Sequence, residues 1–254
     1  MKTKVGTRLL WLRYTPKTME RYFIRPSCIP VLVLMACSAG TPEDTGTRWT
    51  PSVVFGFPLL EPERFPVLVG VDHDPIQQDD TLLGAATCTD YMGRGFPNCY
   101  DQHHGNDYIL DGDFSVMDTQ PAAVLAAADG IIISVVDGHY DKCHPGPDFN
   151  ITCDGNPIIA NHVQIEHADG IVSKYWHLRK DSVRVAVGEA VSCGQILGEV
   201  GSSGNSSKPH LHFEVEDPEG HLLNPYAGPY SQEVSWWHTQ NAPDVLPGPG
   251  CTVR

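Results

Sequence analysis

Positive charge is scarce in this sequence beyond its first 25 residues. The chain has 254 residues, with 17 Lys and Arg against 31 Asp and Glu, and a formal net charge of −14. Seven of the 17 basic residues lie in residues 1–25, and all but one of the acidic residues lie in residues 37–254. Proteins that bind nucleic acid need a basic surface, so this balance excludes that class of partner.

The sequence also lacks an apolar run long enough to span a membrane. The uncharged, apolar stretch over residues 28–36 is too short to cross a bilayer as a helix. It follows the basic residues of the head directly, and that order is typical of an export signal. We therefore predict a signal peptide over residues 1–36.

The sequence Leu34-Met35-Ala36-Cys37 resembles a bacterial lipobox, in which the cysteine is lipidated and becomes the first mature residue. It predicts an exported periplasmic or cell-envelope lipoprotein, attached to a membrane only through a lipid on Cys37. Ordinary signal cleavage nearby is the alternative. Met19 lies at a distance from Cys37 that suits a complete signal, so translation from Met19 rather than Met1 is a further hypothesis.

Helical periodicity is missing from the middle of the chain. From about residue 122, no stretch of 12 residues combines a helical pattern with freedom from Gly and Pro. Apolar or alternating runs instead predict strands over residues 131–136, 162–166, 171–178, 183–187 and 210–216. Ala168-Asp169-Gly170 predicts a tight hairpin turn. The prediction is a mostly antiparallel, all-β domain over residues 81–228, preceded by a tether and extended segment (37–80) and followed by a tail (229–254).

Six of the eight cysteines remain once Cys28 leaves with the signal and Cys37 is lipidated. Six cysteines allow 15 pairings, and the natural ones are the close pairs Cys88–Cys99 and Cys143–Cys153, which leave Cys193 for Cys251. The alternative is a zinc site made of His139, Cys143, His144 and Cys153. That set lacks the Cys-x-x-Cys spacing of a zinc knuckle.

His210-Leu211-His212 predicts a pair of imidazoles on one face of a strand, because residues i and i+2 project from the same side. Two such histidines suit a divalent metal, which needs further ligands. The spacing His-x-x-x-Asp supplies them at three places, His103…Asp107, His144…Asp148 and His177…Asp181. Only the first contains a glycine, Gly105, that frees the backbone to bring both side chains together.

The motifs, taken in order, resemble the lysostaphin-like (LytM-type) zinc metalloendopeptidases. They are residues 103–108, 124–130, 175–178 and 188–215, with Asn224-Pro225 after them, and they cover roughly residues 85–228. The resemblance implies a compact, twisted antiparallel sheet of the duplicated hybrid motif type, which forms the floor of a groove.

The resemblance also implies roles for single residues. One zinc ion per chain is expected on His103, Asp107 and His212, with His177 and His210 as the catalytic histidines. His210 is expected to be the general base, and His177 to donate a hydrogen bond to the developing oxyanion.

The implied substrate is the peptide part of bacterial peptidoglycan, in a stem peptide or a cross-bridge. Non-catalytic members of the superfamily bind wall material or activate other wall hydrolases, and that is the main alternative. A secreted protease acting on foreign proteins or walls is a weaker one. All five site positions are filled here, which favours the enzyme.

The sequence departs from the family pattern in two places near the expected groove. A long insertion at about residues 138–157 carries the predicted Cys143–Cys153 disulfide, and Lys208 stands where the family more often has Gly. Loops of this kind wall the substrate groove in the family, so the insertion is expected to affect substrate choice.

Overall fold

Strands make up almost all the regular structure of this protein. The computed structural model describes residues 52–74, 87–148 and 150–251, so the predicted signal, Cys37 and most of the predicted tether lie outside the described residues. The strands are β1 (Val67–Val69), β2 (Asn106–Ile109), β3 (Ala123–Leu125), β4 (Gly130–Val136), β5 (His144–Pro145), β6 (Ile151–Thr152), β7 (His162–Glu166), β8 (Val172–Trp176), β9 (Ala190–Val191), β10 (Ile196–Glu199), β11 (His210–Glu216) and β12 (Leu222–Leu223).

One eight-stranded sheet dominates the fold. Its order is β1-β2-β11-β8-β7-β4-β9, with β12 paired to β11, and every pairing in it is antiparallel. Two small two-stranded sheets, β10-β3 and β5-β6, accompany it. The predicted all-β, antiparallel architecture is confirmed. Strand β11 lies near the centre of the sheet, between β2 and β8, which places its histidines away from both edges.

The predicted hairpin turn joins β7 to β8. Glu166 pairs with Val172 across the turn, and Asp169 and Gly170 adopt positive φ angles of 56° and 73°. Tight hairpin turns need positive φ at their centre because the strands twist in the same sense, and Asp and Gly tolerate it.

The predicted strand over residues 183–187 is wrong. This segment belongs to no strand, although the chain there is well packed. The amide of Val183 donates to the Asp137 carboxylate at 3.1 Å, and the amide of Arg184 donates to the carbonyl of Leu197 at 2.9 Å. Because a side chain takes one of these amides, no ladder of backbone bonds forms, and the β-branched pattern alone was misleading.

A short helix, α1 (Phe114–Thr119), occupies a segment for which the sequence predicted no helix. Its first turn is capped by Asp113, whose carboxylate accepts hydrogen bonds from the amides of Ser115 and Val116. None of the helices in the described ranges is long and apolar enough to cross a membrane.

The core joins both ends of the described chain. Leu211, Phe213 and Val215 alternate into it from β11, while the intervening side chains face the other side of the sheet. Phe55 stacks on Trp236 with ring centroids 6.1 Å apart, and both side chains are fully buried. Residues on either side of the range 81–228 therefore contribute to the same core.

Three disulfides are present, Cys88–Cys99, Cys143–Cys153 and Cys193–Cys251. These are the three pairings favoured by sequence spacing, and they are confirmed. The alternative zinc site that included Cys143 and Cys153 is wrong, because a sulfur in a disulfide has no thiolate to offer a metal.

Candidate metal centre and active site

The register between β2 and β11 places His212 directly opposite Asp107. Paired residues on adjacent strands project from the same face, so the two side chains meet above the sheet. His212 Nδ1 lies 2.6 Å from Asp107 Oδ1, and His103 Nε2 lies 3.1 Å from the same oxygen. The two imidazole nitrogens are 3.2 Å apart. The donor atoms of all three residues therefore converge on one point.

His103 is oriented by the chain that precedes β2. Its Nδ1 donates to the carbonyl of Gly70 at 2.7 Å, and the ring of Tyr100 stacks on it with centroids 4.1 Å apart. These contacts leave Nε2 as the nitrogen that faces Asp107. The side chain is almost fully buried, so the orientation is held by packing on both sides.

The other ring nitrogen of His212 has its own carboxylate partner. Nε2 lies 3.0 Å from Glu214 Oε1, and the second Glu214 oxygen lies 3.2 Å from Lys174 Nζ. A carboxylate on the outer nitrogen of a metal-binding histidine sets the tautomer and orientation of the ring. The sequence analysis missed Glu214, although its position two residues after His212 on a strand placed it on the same face.

Asp107 carries a charge that the surrounding histidines stabilise. Burial alone would raise the pKa of Asp107, but His103, His210 and His212 hold it well below its usual range. Burial would also lower the pKa of His212, but Asp107 and Glu214, one on each ring nitrogen, raise it to about 9. The centre therefore presents a permanent carboxylate charge.

The donor set fits zinc. Zinc takes nitrogen and oxygen ligands tetrahedrally with bonds of 2.0–2.2 Å, which puts neighbouring ligand atoms about 3.3 Å apart. The three donor atoms here are separated by 2.6, 3.1 and 3.2 Å, and His103 and His212 each have a hydrogen-bond partner on the outer nitrogen. Two imidazoles and one carboxylate also match the three-ligand sets of catalytic zinc sites, which keep a fourth position open.

His210 and His177 lie beside this centre. His210 Nδ1 donates to the carbonyl of Lys208 at 2.7 Å, and its Nε2 lies 3.5 Å from Asp107 Oδ1. His177 Nδ1 donates to the carbonyl of Ser203 at 2.7 Å, and its ring centroid is 4.6 Å from that of His210. The structure thus brings all five predicted residues together.

Both of these histidines are neutral near pH 7. Burial lowers the pKa of His210 below its usual value, against the opposing charge of Asp107. Burial, reinforced by His210 and His212, lowers the pKa of His177 well below its usual value. With each Nδ1 committed to a backbone carbonyl as donor, a neutral ring offers an acceptor lone pair at Nε2.

The other His-x-x-x-Asp spacings bind nothing in common. His144 pairs with Asp154 on the surface rather than with Asp148, and Asp181 takes a hydrogen bond to its amide from Asp137. His104 is exposed, whereas its neighbour His103 is buried. A second acidic group, Asp217 with Glu219 and His221, is a surface turn in which the Asp217 carboxylate accepts the backbone amides of the other two.

An all-β domain with a His-Asp-His donor set beside two buried histidines is the class that the fold and site define. Residues 112–225 match the family model described as Peptidase family M23. The chain belongs to peptidase family M23, as the motif resemblance implied. The matched range includes His177, His210 and His212, whereas His103 and Asp107 lie just before it.

Similar proteins include both enzymes and an activator. The chain is 39% identical over 89 residues to peptidoglycan DD-endopeptidase ShyC of Vibrio cholerae, which covers 29% of this chain and 20% of that protein. It is 34% identical over 87 residues to murein hydrolase activator EnvC of Escherichia coli, which covers 32% of this chain and 20% of that one. The matches to these two curated relatives thus span about a fifth of their length.

A solved structure is similar as well. The catalytic domain of the prophage-encoded M23 protein EnpA from Enterococcus faecalis, crystallised as a variant, is 30% identical. The match covers 54% of this chain and 86% of that one, with a TM-score of 0.35.

Proposed function

We propose that this protein is a zinc-dependent endopeptidase that hydrolyses peptide bonds in peptidoglycan, with one zinc per chain on His103, Asp107 and His212. The observation that carries the proposal is the convergence of the three donor atoms within 3.2 Å, with His210 Nε2 3.5 Å from the same carboxylate oxygen. Membership of peptidase family M23 and the similarity to a named peptidoglycan endopeptidase support the substrate class.

The residues around the centre suit amide hydrolysis. Bound zinc would lower the pKa of a water ligand towards 7 and polarise the scissile carbonyl. His210 is the general base of the proposal, because its neutral Nε2 faces the centre as an acceptor and its Nδ1 proton is held by the Lys208 carbonyl. The base form persists in mildly acidic solution because the pKa of His210 is lowered.

His177 has a more restricted role in this proposal. Its Nδ1 donates to Ser203, so its Nε2 is an acceptor while the ring is neutral. It can donate a hydrogen bond to an oxyanion only after it has taken up a proton, and the low pKa of His177 means that this proton must come from the reaction itself. We therefore assign it a proton-sharing position opposite His210.

The acidic body bears on how substrate is recognised. Peptidoglycan peptides carry carboxylates, and the chain has a formal net charge of −14, so long-range attraction between them is not expected. Recognition in this proposal depends on the groove and on the metal.

A non-catalytic module that activates other wall hydrolases is the second candidate. The similarity to murein hydrolase activator EnvC favours it. The filled set of five residues favours the enzyme, since an activator has no need of a buried general base or of a complete donor set.

Metal content and product analysis together test the proposal. The full chain should contain one zinc and release soluble muropeptides from purified peptidoglycan. His212→Ala should lose zinc, and His210→Ala should keep zinc while turnover falls by at least about 100-fold. Identification of the released ends by mass spectrometry would name the cleaved bond.

Zinc-loaded wild-type protein that leaves peptidoglycan intact, yet stimulates a separate hydrolase, would support the activator instead. Undiminished cleavage by His210→Ala would contradict the role of that residue.

Export and lipid attachment at Cys37 complete the proposal. Relatives named as cell-division and peptidoglycan proteins support action in the cell envelope. Wild-type protein should be labelled by a fatty acid in bacterial cells and remain with the membrane fraction, and Cys37→Ser should lose both properties. Labelling that survives in Cys37→Ser would contradict the lipobox.

A further inference from the structure

The insertion at residues 138–157 contacts the loop that precedes β11 rather than only flanking the groove. We name residues 201–209 the serine loop, because Ser202, Ser203 and Ser206 are buried within it. The loop supplies the two carbonyl groups, from Ser203 and Lys208, that accept the Nδ1 protons of the two histidines outside the metal donor set. Anything that holds this loop therefore holds both imidazoles.

The first arm of the insertion is laced to Ser202. The amide of Ser202 donates to the Asp141 carbonyl, and the amide of Cys143 donates to the Ser202 carbonyl, both at 3.0 Å. The Ser202 hydroxyl adds a third bond, to the Cys143 carbonyl at 2.8 Å. Three bonds to one residue make this a built contact between the arm and the loop.

The second arm reaches the same loop two residues later. Cys153 Sγ lies 3.7 Å from the carbonyl oxygen of Gly204. A side chain at Gly204 would come within 2.7 Å of Ala160, just after the insertion, and Gly204 has a positive φ of 75°. The disulfide between Cys143 and Cys153 is buried, and it ties together the two arms that hold Ser202 and Gly204.

A chain of hydroxyl groups leads from the insertion to His210. The Ser202 and Ser206 hydroxyl oxygens are 2.7 Å apart, and the Ser206 oxygen lies 3.2 Å from His210 Nδ1. Ser206 also donates to the Lys208 carbonyl at 3.0 Å, which is the carbonyl that accepts the His210 proton. Ser206 thus touches both the ring and its acceptor.

A second connection leads to His177. The Asn161 amide donates to the Ser203 hydroxyl at 2.9 Å, and the Ser203 hydroxyl donates to the Leu178 carbonyl at 2.9 Å. The Asn161 side chain bonds the backbone of His139 at the start of the insertion and the carbonyl of Leu178, next to His177. Asn161 is fully buried and fully bonded, so it joins the base of the insertion to the site.

We propose that the insertion, closed by the Cys143–Cys153 disulfide, is a positioning element that orients His177 and His210 through the serine loop. Ser206 and Asn161 are its two positioning residues. The kinetic consequence rests on the proposed function, whereas the orientation of the two rings does not. An insertion that only walled the groove would affect substrate binding, while a positioning element affects the rate of the bound complex.

The first test compares two disulfides in the full, zinc-loaded chain. Cys143→Ser with Cys153→Ser should lower kcat on soluble cross-linked muropeptides by about 10- to 100-fold, since small displacements of catalytic groups have effects of that size. KM and zinc content should stay close to wild type. Cys193→Ser with Cys251→Ser, which opens a disulfide that makes none of these contacts, should retain kcat. Equal kcat in the two double variants, or a change in KM alone, would overturn the proposal.

A matched pair of hydroxyl deletions serves if the first double variant does not fold. Ser206→Ala should lower kcat at constant zinc content, and the exposed neighbour Ser207→Ala should leave it unchanged. Wild-type kcat in Ser206→Ala would overturn the hydroxyl connection to His210.

A spectroscopic measurement separates this inference from the proposed function. The Nδ1 protons of His177 and His210, assigned by NMR with His177→Gln and His210→Gln, should exchange slowly with solvent in the wild-type chain. They should exchange rapidly in the Cys143→Ser/Cys153→Ser variant, or in Ser206→Ala for His210. If wild-type protein cleaves no peptidoglycan, the proposed function fails and this measurement alone decides the inference. Unchanged protection would overturn it.

Discussion

Gly105 lies between the two ligand positions on the first His-x-x-x-Asp motif, and the ring of His212 packs against its α-carbon. A Cβ atom added there would lie 2.5 Å from His212 Nε2, closer than any real contact allows. The sequence analysis expected Gly105 to free the backbone, and the structure adds a steric reason. The glycine gives His212 room to stand between Asp107 and Glu214.

Gly105→Ala should therefore displace the His212 ring and weaken zinc binding by at least about 10-fold, an effect of the size seen when partners of metal ligands are removed. Zinc affinity measured by competition with a chelator is the readout. Gly95→Ala is the matched control, because the nearest atom to a Cβ there is 3.5 Å away. Equal zinc affinity in the two variants would contradict the steric argument.

His167 is a buried histidine outside the site. Its Nδ1 donates to the Asp129 carbonyl at 2.7 Å, and its Nε2 lies 2.7 Å from the Ser173 hydroxyl, which is in turn 3.1 Å from the Tyr175 hydroxyl. Phe55 packs edge-on against the ring. Burial lowers the pKa of His167 below its usual value, against the raising effect of Asp129.

This shift predicts a pH dependence of stability. Above about pH 6.5, His167 is neutral in the folded and unfolded chains and adds no dependence. Below that pH the unfolded chain binds a proton that the folded chain resists, so the free energy of unfolding falls, by up to about 1.4 kcal/mol per pH unit. Urea denaturation between pH 5 and 7 should show a weaker dependence for His167→Gln than for wild type. The exposed His238→Gln should match wild type, and a His167→Gln slope equal to that of wild type would contradict the linkage.

At the scale of single elements, register is what assembles the centre. The strand predicted over residues 210–216 coincides with β11, and the pairing of β11 with β2 brings His212 to Asp107, 105 residues earlier. Alternation along a strand is visible in sequence because it depends only on neighbours. Which strand lies beside it depends on the whole sheet, so the motif resemblance, and not the periodicity, pointed to Asp107.

Helix α1 shows the opposite case, a short element that local pattern did not reveal. Six residues are too few for a detectable helical period. The helix begins because the Asp113 carboxylate accepts the amides of Ser115 and Val116, and its Phe114 ring contacts His144 of the insertion. Its stability is thus partly tertiary.

Asp113→Ala should lower the free energy of unfolding by about 1 kcal/mol through loss of the cap, and Asp113→Asn should restore most of it. Chemical denaturation measures both. Asp111→Ala, at a nearby exposed carboxylate that caps no helix, should stay within about 0.5 kcal/mol of wild type. A loss in Asp111→Ala as large as that in Asp113→Ala would argue against the cap.

At the scale of the whole molecule, the two ends of the described chain are packed together. Phe55 contacts Trp236, Trp237 and Phe213, which lie more than 150 residues later. The Cys193–Cys251 disulfide also holds the C-terminal segment. The peptidase domain therefore shares its core with segments outside the range that its motifs cover.

Phe55→Ala should lower the free energy of unfolding by about 3–5 kcal/mol, because it leaves a cavity among three aromatic rings. The exposed Phe96→Ala should change it by less than about 0.5 kcal/mol. Denaturant unfolding of both variants is the measurement. A small effect at Phe55 would mean that the N-terminal segment is dispensable for the core.

The sequence by itself determined the fold class, the three disulfide pairs and the five residues at the centre, because strand alternation, cysteine spacing and the family motifs are local or ordered along the chain. Tertiary structure alone decided that Glu214 backs His212, that Ser206 and Asn161 hold the serine loop, and that residues 183–187 form no strand. Each of these depends on which backbone group a side chain meets from a distant part of the chain. Such a meeting is set by the packing of the whole sheet and its loops, and no local pattern carries it.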